Sequence, residues 1–389
     1  MKTNLPAFTA LCVLCLASLA VTGVIFLLPP MSRAAVQQVE TGTLRSGREI
    51  YLAACASCHG ADGKGVSQSL LGFDIPPPDF TDCDFASREP DADWITVAHQ
   101  GGPARAFSEL MPAFGEVLTG EQIEEAVRYI RTFCADSDWP RGELNLPRSL
   151  ITEKAFPEDE AVFTMAVNED GKSIAAEVTY EQRFGARNQV EIVFPFGWSE
   201  MTVPSDSGTD KDWTSSVGDI ALAAKRAFYH SVNHGSIISG TAEFILPTGD
   251  EAAGFGKGTF VFEPFVTYGQ ILPAEFFLHS QLGVELPVDS DKAEKEVFFR
   301  FALGRGFTCG GWGRSWTPMV ELLGARELVS GEKTNWDVVP EIQVTLSKRQ
   351  HVMFNIGVRT PVNNTSDRDV QVIAYLLWDW FDGSLFEGW

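Results

Sequence analysis

The sequence predicts a multidomain protein in which an all-α domain is followed by an all-β barrel of the outer-membrane type with about 12 strands. Apolar residues recur with a helical period up to about residue 135, and they alternate with polar residues beyond about residue 160. An apolar N-terminal segment adds a third observation, since it indicates export. We place the boundaries at 1–34 for a signal peptide, 36–138 for the helical domain, 139–160 for a linker and 161–389 for the barrel.

The first segment has the pattern of an export signal. Lys2 precedes an apolar run over 5–28, which ends at Pro29-Pro30. Ser32-Arg33-Ala34 then offers small residues at the two positions that signal peptidase requires. We interpret 1–34 as a secretory signal peptide. The alternative is an uncleaved inner-membrane anchor, because the apolar run is long enough to span a bilayer.

The composition excludes one class of partner and favours one class of fold. The chain of 389 residues carries 30 Lys and Arg against 52 Asp and Glu, a net charge of -22. Such a surface repels phosphate, so we expect no nucleic-acid partner. The 28 Phe, 10 Trp and 35 Gly are typical of β-structure that faces lipid.

The strongest motif is Cys55-Ala56-Ser57-Cys58-His59, a C-x-x-C-H attachment site for a c-type haem. The spacing follows from the chemistry, because two thiols add to the two haem vinyl groups and the next residue delivers an axial imidazole. A zinc or redox C-x-x-C is the alternative, but no second Cys/His pair has zinc-finger spacing. We therefore predict one covalent haem c, held by Cys55 and Cys58 and ligated by His59.

The sixth ligand of the iron is predicted to be Met111, which lies 52 residues after His59. A thioether and an imidazole together raise the reduction potential and suit electron transfer. His99, after a short helix over 91–98, is the alternative ligand.

Two capping boxes mark helices around this site. Ser46-x-x-Glu49 precedes a helix that runs into Cys55, and Thr119-x-x-Gln122 precedes a second helix. The second helix has an apolar face made of Ile123, Ala126, Val127, Ile130, Phe133 and Cys134.

Four features occur together in residues 42–135, namely the haem motif with Gly60, the Gly-rich stretch 62–65, Met111-Pro112, and Tyr129-Ile130 in the C-terminal helix. In these features the region resembles class I cytochrome c. The resemblance implies an all-helical domain with an exposed haem edge. It also implies a proline whose carbonyl holds the axial histidine, a second-shell bond that would fix the ligand's orientation. Pro76, Pro77 and Pro78 are the three choices.

Three cysteines lie outside the haem motif and the signal segment. Cys83 and Cys134 can form a disulfide in an oxidising compartment, with two buried thiols as the alternative. Cys309 is left over, next to a Gly-rich turn.

The period changes from helix to strand after the linker, which is rich in proline and charge. Long alternation of apolar and polar residues gives a strand one apolar and one wet face. The predicted strands lie near 161–167, 173–184, 188–197, 217–229, 236–247, 258–270, 275–288, 294–305, 315–328, 334–347, 350–360 and 368–380.

A soluble sandwich and a closed barrel can both bury such strands. The length of the strands, their even number and the export signal favour a transmembrane barrel, as do aromatics near strand ends, namely Phe196, Trp198, Trp378 and Trp380. The polar faces carry many carboxylates. In an open lumen these carboxylates would favour cations. Alternatively, they form internal ion pairs with Arg183, Lys225, Arg300 and Arg359.

This half is similar to an outer-membrane family assigned to transport in phenol-degradation pathways. The similarity lies in Val217-Gly218-Asp219-Ile220, Leu246-Pro247-Thr248-Gly249-Asp250 and Phe262-Glu263-Pro264 after Gly256-Lys257-Gly258. One departure is a tail over 382–388 before Trp389, where such barrels usually end on the aromatic of their last strand.

The combination predicts a monohaem c-type cytochrome anchored in outer-membrane lipid, with no catalytic residues. The cytochrome domain faces the periplasm, because barrel termini normally lie there. It passes electrons between periplasmic partners or toward the cell exterior. Residues 36–140 contain 7 Lys and Arg and 17 Asp and Glu, which gives -10 and predicts a basic redox partner.

The main alternative is an outer-membrane solute porin or transporter with an accessory cytochrome domain. Direct oxidation of extracellular iron is a further alternative, but a barrel of twelve strands is too narrow to hold a haem domain of ~95 residues. A peroxidase would need an open iron face, which ligation by Met111 removes.

Overall fold

The computed structural model describes residues 46–72, 76–205, 208–309 and 314–380. The predicted signal peptide 1–34 and the tail 382–388 lie outside these ranges. Among the described residues, no helix combines the length and the apolar character needed to cross a membrane.

The N-terminal region is helical and contains no strand among its described residues before Glu160. Its helices are short and separated by loops, so the region is less completely helical than the sequence predicts. The helices are α1 Gly47–Ala54, α2 Ala56–His59, α3 Gln68–Leu71, α4 Cys83–Ala86, α5 Asp91–Gln100 and α6 Gly120–Ile130, with 3-10 turns at Gly102–Arg105 and Gly142–Leu144.

Both predicted capping boxes are present. The Ser46 hydroxyl accepts a hydrogen bond from the Glu49 amide at 3.3 Å, and the Glu49 carboxylate accepts one from the Ser46 amide at 3.1 Å. Thr119 and Gln122 repeat the arrangement at the start of α6, at 3.2 and 3.0 Å. Each box satisfies two backbone donors that a helix start leaves without partners.

Helices α1 and α6 cross at Gly47, where a side chain would overlap the backbone of Glu125. Tyr51, on the next turn of α1, packs against Phe80 and Ile130 in the core of the domain. Its hydroxyl donates to the Gly60 carbonyl at 2.6 Å and so ties α1 to the end of the haem motif. The core of the helical domain is thus apolar and aromatic.

The rest of the chain forms antiparallel strands. Their bounds are β1 Glu160–Asn168, β2 Ser173–Phe184, β3 Asn188–Ser205, β4 Gly208–Val217, β5 Ala221–Ser231, β6 Ser236–Ile245, β7 Val261–Ile271, β8 Phe276–Pro287, β9 Glu296–Arg305, β10 Phe307–Cys309, β11 Arg314–Glu327, β12 Asn335–Thr345, β13 Val352–Pro361 and β14 Gln371–Asp379.

These fourteen segments form a closed barrel of twelve strands, as predicted. Segments β4 and β5 follow one another along β3, and β9 and β10 follow one another along β11, so each pair counts as one strand. All neighbours are antiparallel, and the pairing of β1 with β14 closes the ring. The ring itself is closed, as a sheet in a bilayer requires, and β4 extends it as a hairpin with β3 that pairs with no other described strand.

The barrel exposes its apolar face and buries its polar face, which is the reverse of the arrangement in a soluble sandwich. On β11, Val320 and Leu322 are 41% and 44% exposed, while Glu321 between them is 0% exposed. On β12, Ile342 is likewise exposed and its neighbours Glu341 and Gln343 are buried. The apolar face therefore points outward, where a barrel of the outer-membrane type contacts lipid, and the polar face lines the lumen.

The two ends of the barrel differ in the length of their connections. The turns 185–187, 232–235, 272–275 and 346–351 lie at the end where β1 starts and β14 stops, which we call the short-turn end. The connections 169–172, 246–260, 288–295, 328–334 and 362–370 lie at the opposite, long-loop end. Short turns and both barrel termini are typical of the periplasmic end.

Candidate functional site

The haem motif begins at Cys55, directly after α1, and continues through the single helical turn of α2. The amides of Cys58 and His59 both donate to the carbonyl of Cys55, at 3.1 and 3.0 Å. Residues three and four apart lie on one side of a helix, so this turn presents both thiols and the imidazole together. The two thiols are free and half-buried. Burial and the nearby Cys58 raise the pKa of the Cys55 thiol to about 11, so it is protonated at neutral pH.

The imidazole of His59 is in its neutral form. Burial lowers the pKa of its imidazole to about 4, so the ring is neutral at pH 7 and has a lone pair to offer. The ring stacks on Phe80, with centroids 4.8 Å apart. Its Nδ1 is buried and has no hydrogen-bond partner among the described residues. The hydrogen bond to a proline carbonyl that the resemblance implies is therefore not donated by this nitrogen.

Aromatic rings connect His59 to the helix that precedes Met111. Phe80 lies between the His59 ring and Trp94, and the centroids of Phe80 and Trp94 are 5.3 Å apart. Trp94 belongs to α5, and the chain passes from α5 directly into the loop that carries Met111. The Arg131 guanidinium covers the Trp94 ring at 3.8 Å, which fixes this helix against the end of α6.

Met111 is half-buried in a loop closed by backbone hydrogen bonds. The Gly102 amide donates to the Met111 carbonyl at 3.0 Å, and the Met111 amide donates to the Ser108 carbonyl at 3.2 Å. The alternative ligand, His99, is exposed, and its ring packs against Gly115, where a side chain would collide with it. The donor set of Cys55, Cys58, His59 and Met111 fits a c-type haem.

Cys83 and Cys134 form a disulfide, with Cα atoms 5.2 Å apart. It ties α4 to the chain that follows α6, across a sequence separation of 51 residues. A structural disulfide is expected of an exported domain and unusual in the cytosol.

The segment predicted as a linker has a second role that the sequence did not reveal, because it lies inside the barrel. Leu144, Ala155 and Phe156 pack with Ala227 and Ile237 of β5 and β6. Other leucines of the segment contact other sides of the wall. Leu146 packs with Phe277 and Met319, and Leu150 packs against the cluster of Val162, Tyr375 and Leu377. We call residues 142–159 the plug.

Polar side chains of the wall also bind the backbone of the plug. The Glu321 carboxylate accepts hydrogen bonds from the amides of Ile151 and Thr152, at 3.0 and 2.6 Å. Glu341 accepts one from the Leu150 amide at 3.0 Å. The plug backbone thereby reaches both oxygens of Glu321, whereas one oxygen of Glu341 has no hydrogen-bond partner among the described residues.

Charged side chains of the plug pair with carboxylates at the short-turn end. Arg148 Nη1 lies 2.7 Å from a carboxylate oxygen of Glu160 and 2.7 Å from one of Glu181. Lys154 forms ion pairs with Glu158 of the plug and with Glu160. Buried charges of this kind are stable only when they are paired. The lumen at this level therefore contains ion pairs together with apolar side chains.

Pairs of charged or titratable side chains join the helical domain to the short-turn end. Arg88 forms an ion pair with Asp159 at 2.7 Å, directly before β1. Glu89 lies 3.2 Å from the imidazole Nε2 of His351, which is in the turn 346–351. Asp138, in the chain between the two domains, forms an ion pair with Arg187 in the turn 185–187 at 2.6 Å. The helical domain is thus held at the short-turn end, which is of the type found on the periplasmic side.

Comparison with known proteins identifies both halves. Residues 162–369, more than half of the chain, match the family described as "Putative MetA-pathway of phenol degradation". The chain belongs to this family. Residues 42–130 match the family described as cytochrome c oxidase, cbb3-type, subunit III, so a cytochrome c domain precedes the family's barrel.

Individual relatives are distant. The cbb3-type cytochrome c oxidase subunit FixP of Sinorhizobium medicae is 23% identical over 209 residues, which cover 51% of this chain and 63% of that protein. An outer membrane channel from Pseudomonas putida F1 is 11% identical, covering 60% of this chain and all of that one, with a TM-score of 0.41. LpxR from Salmonella typhimurium is 8% identical, covering 57% and 100%, with a TM-score of 0.37.

Proposed function

We propose that this protein is a monohaem c-type cytochrome that its barrel anchors in the outer membrane, with the cytochrome domain facing the periplasm. It exchanges electrons between periplasmic partners or passes them toward the cell exterior. The observation that carries this proposal is the plug, because residues 142–159 occupy the lumen at the short-turn end and each of these residues is buried or half-buried. A barrel filled in this way serves as an anchor.

Cys55 and Cys58 would hold the haem covalently, and His59 and Met111 would be its axial ligands. A haem with imidazole and thioether ligands supplies one-electron exchange at a raised potential. The protein fold sets the positions of these ligands. The disulfide, the Tyr51 core and the aromatic contacts of His59 hold the ligand-bearing segments together, and such preorganisation limits the rearrangement that electron transfer requires.

The redox partner is proposed to be a basic protein. Four exposed glutamates, Glu109, Glu116, Glu121 and Glu124, lie in the stretch that surrounds and follows Met111. No Lys or Arg lies between residues 106 and 127 to balance them. Complementary charge would raise the rate of encounter with a basic partner, and this rate should fall with added salt.

A second candidate function is solute uptake, and one observation favours it. The half of the lumen toward the long-loop end carries the half-buried carboxylates of Glu177, Glu243, Glu285 and Glu296. This part of the lumen lies beyond the described contacts of the plug, and its charge would favour cations.

Conductance in planar bilayers separates the two functions. We expect the full-length protein to conduct at the level of the bare membrane, because the plug occupies the lumen. A variant in which residues 143–158 are replaced by a flexible Gly/Ser linker of equal length should form open, cation-selective channels. Steady porin-like conductance by the unmodified protein would overturn the anchor and support uptake.

A further inference from the structure

The turn 346–351 contacts the cytochrome domain at the loop that carries Met111. The Arg349 guanidinium lies over the ring of Phe107, with its Cζ 4.7 Å from the ring centroid. Its Nη2 donates to the carbonyl oxygen of Ala106 at 3.4 Å. The barrel thus reaches a loop that is 243 residues away in sequence.

Within that loop, backbone hydrogen bonds through Gly102 connect Phe107 to Met111. The Phe107 amide donates to the Gly102 carbonyl at 2.9 Å, and the Gly102 amide donates to the Met111 carbonyl at 3.0 Å. Gly102 itself lies against Ser108 and Met111, and a side chain there would displace both. A shift of Phe107 is therefore transmitted through Gly102 to Met111.

The loop also contains a residue in an unfavourable conformation at the point of contact. Ala106 has a φ of +54°, in the left-handed region that residues other than glycine rarely adopt. Such a conformation persists only when its surroundings hold it. The contacts of Arg349 with the Ala106 carbonyl and with the adjacent Phe107 ring are surroundings of this kind, and they come from the barrel.

We propose that Arg349 is a positioning residue for the axial ligand, so that the barrel stabilises the ligating conformation of Met111. The inference rests on the proposed function, in which Met111 binds the haem iron. A guanidinium can hold the loop in two ways at once, by a cation–π contact with a ring and by a charged hydrogen bond to a carbonyl. Membrane anchoring and haem ligation are then coupled through one turn.

The test uses the full-length, haem-loaded protein in detergent micelles. Arg349→Ala is compared with Arg349→Lys and with Lys348→Ala, which removes an exposed cation from the same turn. The first readout is hydrogen–deuterium exchange of the Gly102 and Phe107 amides. The second is the affinity of the ferric protein for added imidazole, which competes with a thioether for the sixth position.

We expect Arg349→Ala to raise both the exchange rates and the imidazole affinity by about threefold to tenfold, since a contact of this type contributes on the order of one hydrogen bond. Arg349→Lys should restore part of the difference, and Lys348→Ala should change neither readout. Phe107→Leu removes the ring and leaves the barrel unaltered, and it should reproduce the effect of Arg349→Ala.

Equal exchange and equal imidazole affinity in the Arg349→Ala and Lys348→Ala proteins would overturn the inference. Met111→Leu tests the ligand assignment by itself. Unchanged imidazole affinity in Met111→Leu would overturn the proposed ligation and this inference together. A marked change in Met111→Leu without one in Arg349→Ala would overturn the inference alone.

Discussion

The cytochrome domain and the barrel differ in the charge that they bury, although both also bury apolar side chains. The domain has an apolar core around Tyr51, Phe80 and Ile130. In the barrel, Glu181 and Glu321 are 0% exposed, while aliphatic side chains on the same strands face outward. The hydrophobic effect stabilises the domain, whereas the barrel wall is stabilised by its backbone ladder and by pairing of the charges it encloses.

The comparison explains why the plug lies where it does. A lumen that contains buried carboxylates needs donors and cations to match them. The plug supplies backbone amides at Leu150, Ile151 and Thr152 and cations at Arg148 and Lys154. The segment lies between the two domains in sequence, but its packing belongs to the barrel.

The largest expected difference between the two regions follows from removing the haem thiols, which should affect the cytochrome domain and leave the barrel unchanged. We expect the double variant Cys55→Ser, Cys58→Ser to lose covalent haem entirely, because no other thiol is placed beside His59 in the described structure. The measurement is peroxidase staining of a denaturing gel. The heat-dependent gel mobility of the folded barrel should be unchanged, and haem staining that survives would refute the attachment site.

The next largest effect concerns the charges of the lumen. Arg148→Met leaves Glu160 and Glu181 buried without their shared cation, and breaking a buried pair in this way typically costs about 3–5 kcal/mol. The free energy of unfolding of the barrel, measured by urea titration in detergent, should fall by this amount. Arg326→Met, at an exposed arginine on the barrel, is the matched control and should change it little. An equal loss in both variants would contradict the pairing.

A smaller effect is confined to the cytochrome domain. Reduction of the Cys83–Cys134 bond should lower the stability of that domain by roughly 2–4 kcal/mol, because the unfolded chain gains conformational freedom. Calorimetry with and without reductant should therefore move only the transition of the cytochrome domain. A shift of the barrel transition by the same amount would mean that the two regions unfold as one unit.

Much of the barrel could be predicted because its alternation is a local property of each strand. The expected segment 173–184 coincides with β2, and the expected segment 188–197 underestimates β3, which continues to Ser205 in a hairpin with β4. Both capping boxes were predictable for the same reason, since a cap needs only residues three positions apart.

The plug could not be predicted, because its partners are scattered along the chain. Glu321 lies 169 residues from Thr152, and Glu341 lies 191 residues from Leu150. Proline and charge in 139–160 are equally typical of a solvent-exposed linker. One signal was present. The segment intersperses Leu146, Leu150 and Phe156 with its charges, which is more apolar than a solvated linker requires.

The position of the plug has a topological consequence for assembly. Its first residues lie beside Arg88 in the cytochrome domain, and its last, Asp159, pairs with the same arginine. The plug therefore enters and leaves the barrel through the same rim, as a folded-back loop. A barrel that has already closed can take up or release such a loop without breaking the pairing between two neighbouring strands.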